Sequence, residues 1–497
     1  MYDPAKTPPT FVQDNLASGN IDTKEAILRV TGANVLPQPI LLQALKDSFF
    51  EHVHPLYYSV IDREDVSGPN ASILVQQAVS LAGSLMRHGQ DNMSLAEMQY
   101  EKVKTLVHVG FEPDQLTVLK ALCLLSCWSP SSPYLVTLDG PWHWTGVASR
   151  MALQLGLQKQ STYADRENAG CLRRIFWHLQ TSELLMAACW GRPLFIRPED
   201  TDVEPLTEED FEVQDFGAIA STYMTKLIRI IGKITQLKTK KSGPTEEDVK
   251  AVVTSLCDWV TDLPDELRLF SSEGAKRPFN QHRAEALIFY LVSIVLVQTI
   301  SKNTHSHWRT SAASFLAASC AARLYDEIRC RERVVHLIHF HAFLVLVVGV
   351  VLVSHQPQSQ EKERIRDRDM DVVHSVLEGM SVKYGGARAI LKKFQEIHRE
   401  PVGGRVDEPS ITRNETTSSQ ASSTAKIVQD HIGDLFLFPV DFCENMDILA
   451  HENNSTEEGI LQDDALTDFG RWENFDDISS FMDVLGMDFT SLDGISG

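Results

Sequence analysis

Two sets of regularly spaced apolar residues between positions 139 and 206 constrain the fold of this chain more than any other feature. Within each set the side chains recur at steps of three and four, the spacing of one face of an α-helix. The first set contains Trp144, Val147, Ala148, Met151, Ala152 and Leu155, and the second contains Leu172, Ile175, Phe176, Leu179 and Met186. Gly156 and Gly191 stand where helix terminators are expected. Asn168 is expected to cap the second helix, and Pro193 prevents its continuation. These residues predict two amphipathic helices packed as a hairpin.

Helical patterns continue through most of the chain. Further helices are predicted over residues 39–50, 71–86, 94–109, 114–128, 215–238, 245–262, 279–301, 308–330, 333–354, 365–382 and 386–398. The first turn of one of them, Ser94 to Glu97, has the pattern of a capping box. No convincing strand pattern lies between these segments. We therefore predict an all-α fold, with one large multi-helix domain at 37–400 after a partly ordered leader at 1–36.

The composition changes after residue 400. Residues 401–426 are rich in Gly, Ser and Thr, as flexible linkers are. From Asp430 to Gly497 there are 17 acidic residues and one basic residue, so this segment carries −16 of the total formal charge of −21. Large apolar residues are spaced along the same acidic segment, namely Leu435, Phe436, Leu437, Phe438, Phe442, Phe469, Trp472, Phe475, Ile478, Phe481, Met482, Leu485 and Phe489. Charge repulsion predicts that residues 427–497 form an open, disordered tail with accessible aromatic side chains.

Part of this tail has the pattern of an acidic activation segment. If it folded onto a partner protein, steps of three and four would place six side chains on one apolar stripe. These predicted contacts are Phe469, Trp472, Phe475, Phe481, Leu485 and Phe489. Two alternatives are a solvated tail without a partner and a tail that docks back on its own helical domain.

Motifs of enzymes and of cofactor sites are absent from the sequence. There is no Gly-x-Ser-x-Gly or Gly-x-Gly-x-x-Gly pattern, so no catalytic residue and no cofactor is predicted. His336, His339 and His341 form a tight group, but no acidic residue lies within it and its flanks are apolar, which favours core histidines over metal ligands. The longest apolar run, residues 342–353, is too short to span a bilayer and predicts a buried helix. The N-terminus shows no secretory signal pattern.

The order of residues in the central stretch resembles the middle homology region of fungal zinc binuclear cluster transcription factors. The residues that carry the motif are Trp144, Gly146, Met151, Gly156, Arg173, Arg174, Trp177, Gly191, Arg192 and Pro193. Residues 49–55 resemble the opening of that region and residues 259–267 resemble its Trp-Leu-Pro-Leu segment, so the likeness spans about 37–350. Residues 181–183 depart from it, because Thr-Ser-Glu replaces the usual Leu-Asp-Arg-like step.

The motif arginines have two interpretations. Arg173 and Trp177 lie one helical turn apart, which predicts a structural cation–π contact between them. Alternatively, Arg173, Arg174 and Arg192 together face an internal anion or effector. We favour structural roles for all ten motif residues.

The resemblance implies a nuclear regulator of metabolic or biosynthetic genes in a fungus, secondary metabolism included. The helical domain would then regulate the output, respond to an effector or mediate self-association, while the tail recruits coactivator proteins. The DNA-binding head of that family holds two zinc ions with six thiolates, and none of the eight cysteines here lies in a Cys-x-x-Cys pair. No metal site or DNA-binding residue is therefore predicted. Either such a head precedes Met1, or the chain reaches DNA through a partner. A scaffold without activating function and an unrecognised helical enzyme are the alternatives.

Overall fold

The part of the chain that the structure describes consists mainly of packed α-helices. The computed structural model describes residues 17–89, 92–240, 242–300, 311–355, 357, 359–399 and 418–447. The helices are α1 (Ala17–Thr31), α2 (Pro39–His52), α3 (Ile73–Leu85), α4 (Asn92–His108), α5 (Gln115–Leu125), α6 (Pro141–Gln154), α7 (Ala169–Trp190), α8 (Phe216–Thr239), α9 (Glu246–Thr261), α10 (Gln281–Val297), α11 (Ala312–Cys330), α12 (His341–Ser354), α13 (Gln360–Ser381), α14 (Gly385–Arg399), α15 (Ser418–Asp430) and α16 (Ile432–Leu435).

The all-α fold predicted from the sequence is confirmed. Within the described ranges there is no β-strand, only an isolated antiparallel bridge between Phe270 and Lys276. Several helices begin where their capping residues predict. The side chain of Asp114 accepts a hydrogen bond from the backbone of α5, and Asp215 does the same for α8. Thr245 forms a reciprocal capping box with Asp248 at the start of α9.

Three local predictions differ from the structure. Helix α4 begins at Asn92, so Ser94 lies inside the helix and does not cap it. Asn168 occupies the cap position of α7, but its side chain forms no capping hydrogen bond. The helix predicted over 333–354 is divided into a 3₁₀ turn at Val334–His336 and α12, which begins at His341. The intervening residues leave the helical path and bury Leu337 and Ile338 in the core.

Helices α10 and α12 form the centre of the core. Every residue of α10 is buried, and α10 packs against α8, α9, α11 and α12. The predicted buried helix over 342–353 is confirmed, because α12 is buried from His341 to Leu352. The segment Gln281–Ile300 is long and apolar enough to cross a membrane, but 89% of its apolar window is buried within the protein. The apolar character of α10 is thus explained by its central position.

The start of the acidic tail docks on the helical domain. Tyr290 on α10 donates a hydrogen bond to the carbonyl oxygen of Leu435 at 2.8 Å. Phe436 and Phe442 are buried, with exposed fractions of 4% and 8%. Docking buries apolar side chains against α9, α10 and α11, which outweighs the charge repulsion expected to keep this part open. The prediction of accessible aromatic residues is therefore wrong for Phe436 and Phe442, whereas Leu437 is exposed.

Polar contacts hold the same segment in place. Asn445 donates a hydrogen bond to the Ser319 hydroxyl on α11 at 2.8 Å. On α13, Lys362 forms an ion pair with Asp447 at 2.8 Å and Arg368 forms one with Glu444 at 2.9 Å. The basic side of α13 thereby neutralises acidic residues of the segment. The domain boundaries given above remain predictions.

Candidate functional site

The motif residues of α6 position this helix against its neighbours. Trp144 is buried, and its indole nitrogen donates a hydrogen bond to the Tyr100 hydroxyl at 3.1 Å. Gly156 follows the helix with a φ of 77°, a conformation that favours glycine. Gly146 and Met151 lie on the same helix, and Met151 is partly buried against the core.

The two adjacent arginines of α7 form separate ion pairs. Arg174 binds Asp62 with two hydrogen bonds of 2.7 and 2.6 Å, and both side chains are largely buried. Burial alone would lower the pKa of Arg174, but the hydrogen bonds and the charge of Asp62 raise it. Arg173 pairs with Asp210 and lies 5.0 Å over the ring of Tyr163.

The aromatic partner predicted for Arg173 is wrong. Trp177 is instead covered by Arg229 from α8, at 4.9 Å from the ring centroid. The side chain of Arg173 turns to Asp210, because a buried carboxylate binds a guanidinium more strongly than a ring does.

The Gly-Arg-Pro motif directs the chain away from the end of α7. Gly191 has a φ of 64° and ends the helix as predicted. Arg192 donates a hydrogen bond to the Pro133 carbonyl at 2.6 Å and stacks 4.7 Å over Trp142. Pro193 follows outside the helix. Arg173, Arg174 and Arg192 each have protein partners of their own and do not converge on one cavity in the described structure.

Glu183 explains the departure at residues 181–183. Its buried carboxylate accepts hydrogen bonds from the Ser149 hydroxyl at 2.7 Å and from the backbone amides of Phe195 and Ile196 at 2.9 and 2.7 Å. Glu183 therefore joins α6, α7 and the loop after the Gly-Arg-Pro motif. Sequence reasoning gave this residue no role, although an acidic residue on an apolar helix face was a usable signal.

A groove between α7, α8, α9 and residues 198–203 is the main cavity near the motif. Its volume is about 690 Å³, within the range of small-molecule sites in proteins. The buried indoles of Trp177 and Trp259 line it, and their nitrogens are bound to the carbonyl oxygens of Glu204 and Tyr223, both at 2.9 Å. The polar ends of both indoles are thus satisfied by the protein itself.

Helices α7 and α8 meet closely beneath this groove. Gly232 lies at their crossing, where a Cβ atom would come within 2.5 Å of the Leu184 side chain. A larger residue at position 232 would therefore force the Leu184 side chain, which also lines the groove, to move.

The α8 wall of the groove is cationic. Lys226, Arg229 and Lys233 recur at steps of three and four and all line the cavity. Within the described residues none of the three forms an ion pair. Lys226 lies 4.3 Å over the ring of Tyr223. Partial desolvation lowers the pKa of Arg229.

Gln180, which lines the groove, has an unsatisfied hydrogen-bond donor. Gln180 is 2% exposed, and its Nε2 atom has no hydrogen-bond partner. Ser255 and Asp258 of α9 and Asp262, which directly follows α9, also line the groove. The groove therefore combines aromatic surface, three cations and a buried donor. This arrangement suits a ligand with an apolar body and hydrogen-bond acceptors.

A second polar cluster lies inside the core around Glu285. Its carboxylate accepts hydrogen bonds from the hydroxyl of Tyr57 at 2.5 Å and from Gln281 at 2.7 Å, and it lies 3.4 Å from Nε2 of His341. The other ring nitrogen of His341 is 2.9 Å from the Tyr325 hydroxyl. Burial acts to raise the pKa of Glu285, but the contacts with His341 and Tyr57 lower it. Gln281 and Glu285 one turn apart in an apolar helix were the only sequence signal for this cluster.

The three neighbouring histidines separate in the structure. His336 stacks on His52 with ring centroids 3.7 Å apart, His339 lies beside Trp190, and His341 belongs to the Glu285 cluster. Among the residues that the structure describes, no group of three His, Cys, Asp or Glu side chains could hold a metal ion.

The cysteines do not fit a cluster of two zinc ions. All eight are free, and Cys123, Cys127, Cys189 and Cys320 are buried in the core. The pair Cys320 and Cys443 is close, with sulfur atoms 3.6 Å apart. A binuclear zinc cluster requires six converging thiolates, and the described cysteines do not converge in this way.

The predicted activation contacts lie outside the described residues. These are Phe469, Trp472, Phe475, Phe481, Leu485 and Phe489.

Comparison with known proteins shows which class of protein the helical region resembles. Residues 47–271, which include α6, α7 and the groove, match the model of the fungal specific transcription factor domain. This match confirms the resemblance of the region to the middle homology region of fungal transcription factors.

Individual relatives are fungal transcription regulators. The chain is 30% identical to the acetamidase regulatory protein of Aspergillus fumigatus, over 48% of this chain and 33% of that protein. It is 29% identical to cutinase transcription factor 1 alpha of Fusarium vanettenii, over 48% of this chain and 29% of that protein. Identity to transcription factor cpaR of Aspergillus oryzae is 25%, over 57% and 56% of the two chains. The chain thus spans about a third of the length of the first two relatives. No solved structure matches it.

Proposed function

We propose that this chain is a nuclear transcription regulator of metabolic or biosynthetic genes that acts without catalysis. The observation that carries the proposal is the match of residues 47–271 to the fungal specific transcription factor domain, together with the similarity of the chain to the acetamidase regulatory protein and to cutinase transcription factor 1 alpha. In this proposal the helical domain regulates the output, and the acidic segment after residue 447 recruits coactivator proteins. Contact with DNA, through a further domain or through a partner protein, is part of the same proposal.

The docked segment supports separate roles for the helical domain, which regulates, and for the acidic segment, which recruits coactivators. Residues 435–447 are held on α10, α11 and α13 by buried aromatic side chains, hydrogen bonds and ion pairs. Residues 448–497 carry 12 acidic residues and one basic residue, a net charge of −11. The helical domain therefore fixes the point from which this acidic segment begins.

A reporter assay tests the activating role. The full chain is fused to an unrelated DNA-binding domain, in parallel with a fusion of residues 427–497 alone. We expect both fusions to activate a reporter gene, because the acidic-aromatic segment is present in each. Replacing Trp472, Phe475, Phe481 and Phe489 with alanine should abolish the activation.

The matched control replaces four polar residues of the same segment, Asn453, Asn454, Ser455 and Thr456, with alanine and should keep the activity. Inert fusions at normal protein levels would contradict the proposal and favour a scaffold. Fluorescence microscopy of the tagged full chain tests the nuclear location, and exclusion from the nucleus would contradict it.

A further inference from the structure

We infer that the groove between α7, α8 and α9 binds a small organic acid, a carboxylate attached to an apolar body. Its volume of about 690 Å³ accommodates a molecule of that size. A regulatory role for such binding rests on the proposed function, whereas the binding itself follows from the residues that line the groove.

The cations of α8 specify the charge of the ligand. Lys226, Arg229 and Lys233 lie on one stripe of the helix and have no carboxylate partner in the described structure. A guanidinium binds a carboxylate through two parallel hydrogen bonds, and Arg229 is held in place by its stacking on Trp177 at 4.9 Å. Arg229 is therefore positioned as the main anchor for the carboxylate.

Gln180, which also lines the groove, points to the same chemistry. Gln180 is almost completely buried, yet its Nε2 donor has no partner. A buried amide without a hydrogen bond is unfavourable, and a ligand oxygen would satisfy it. Gln180 thus adds a second polar group to the lining that is independent of the charged residues.

The aromatic lining accounts for the apolar body. Trp177 and Trp259 line the cavity with their indole nitrogens already bound to backbone carbonyls. They therefore offer apolar ring surface rather than further hydrogen bonds. Asp258 and Asp262 on the α9 wall would repel a second negative charge at that side. The lining therefore favours a monocarboxylate over a polyanion.

Titration calorimetry of the full chain tests the site with defined probes. Benzoate and hexanoate are titrated at neutral pH, and benzamide and hexanamide serve as their neutral counterparts. We expect both acids to bind at one site per chain and the amides to bind at least about tenfold more weakly, because the amides lack the charge that Arg229 recognises.

Variants locate the binding. Arg229→Ala should weaken the binding of both acids by about tenfold or more, and Arg229→Lys by less, because the charge remains. Gln180→Leu should weaken it by about threefold to tenfold, the effect of one neutral hydrogen bond. The control is Lys250→Ala, which removes an exposed lysine of α9 that does not line the groove and should leave the affinity unchanged.

Several outcomes would overturn the inference. These are an absence of saturable binding by either acid, equal binding of the amides, and an Arg229→Ala variant that binds as well as the unchanged protein. Displacement of the acids is also measured with a peptide of residues 448–497. If that peptide binds the groove and the acids do not, the groove is a docking surface for the tail. The tail reporter assay does not depend on the groove, so the two proposals fail separately.

Discussion

The Arg174–Asp62 ion pair and the polar cluster around Glu285 both contain buried charged groups, but they are buried to different degrees. Arg174 and Asp62 meet at the edge of the core, where the Asp62 side chain retains an exposed fraction of 12%. Glu285 and His341 lie at the centre, and both side chains have an exposed fraction of 0%. The outer pair joins two elements through one contact. The inner cluster joins α10, α11, α12 and the loop after α2, so several groups lose a partner if one member is removed.

The largest expected effect is at the centre. Glu285→Leu should lower the free energy of unfolding by about 3–5 kcal/mol, because Tyr57, Gln281 and His341 would lose their acceptor inside the core. Chemical unfolding of the full chain measures the change. Glu285→Gln is the matched variant, and it should lose less because its amide oxygen still accepts a hydrogen bond. A loss below about 1 kcal/mol for Glu285→Leu would mean that the cluster does not stabilise the fold.

A smaller effect is expected at the edge. Arg174→Met should cost about 2–3 kcal/mol, because it removes two charge-assisted hydrogen bonds from Asp62 while water still reaches that carboxylate. The same unfolding experiment on Arg174→Met, Asp62→Leu and the double variant gives the coupling energy. If Arg174→Met proves as costly as Glu285→Leu, depth of burial does not determine the difference between the two regions.

The smallest expected effect concerns pH and His339, which lies next to the inner cluster. Burial, with a further contribution from His341, lowers the pKa of His339 to about 3. In the unfolded chain this histidine gains a proton near its usual pKa of about 6.5. The stability due to neutral His339 is therefore complete above that pH and is lost as the pH falls from 6.5 towards 3.

Replacing His339 with phenylalanine isolates this contribution. Relative to the unchanged protein, His339→Phe should gain about 2 kcal/mol more at pH 5 than at pH 8, because packing changes are common to both conditions. Unfolding curves at the two pH values measure the difference. Ile338→Val, at a neighbouring buried residue that does not titrate, provides the comparison and should show no difference between the two pH values. Equal behaviour of the two variants would place the acid sensitivity elsewhere.

Local signals in the sequence were sufficient to predict where several helices begin and end. Gly191 could be assigned as the end of α7 because a glycine followed by Arg-Pro both permits a left-handed conformation and stops a helix. Asp114 and Thr245 could be assigned as helix starts for similar reasons, since a cap interacts with residues only three positions away. The helices themselves followed from the spacing of apolar residues.

Contacts between distant residues could not be predicted. Arg174 and Asp62 are 112 residues apart, and Tyr57 and His341 are 284 apart, so no periodic pattern connects them. The groove could not be predicted either, because it depends on how α7 and α8 cross at Gly232 and on a donor of Gln180 that the fold leaves unpaired. Docking of the tail on its own domain was predicted only as an alternative, because the composition of the tail is typical of an open chain, whereas the burial of its start depends on surfaces of α10 and α11.

The docked segment also means that the surface of α10 and α11 is completed late during protein synthesis. Leu435 contacts Tyr290 across 145 residues, and Asn445 contacts Ser319 across 126. A ribosome adds about 5–20 residues per second, so roughly 7–30 s pass between the synthesis of Tyr290 and the synthesis of Leu435, which covers α10. During that interval the apolar surface of α10 and α11 is exposed to solvent on the nascent chain. Protein synthesis that stops between residues 330 and 435 would leave this surface permanently uncovered and prone to aggregation.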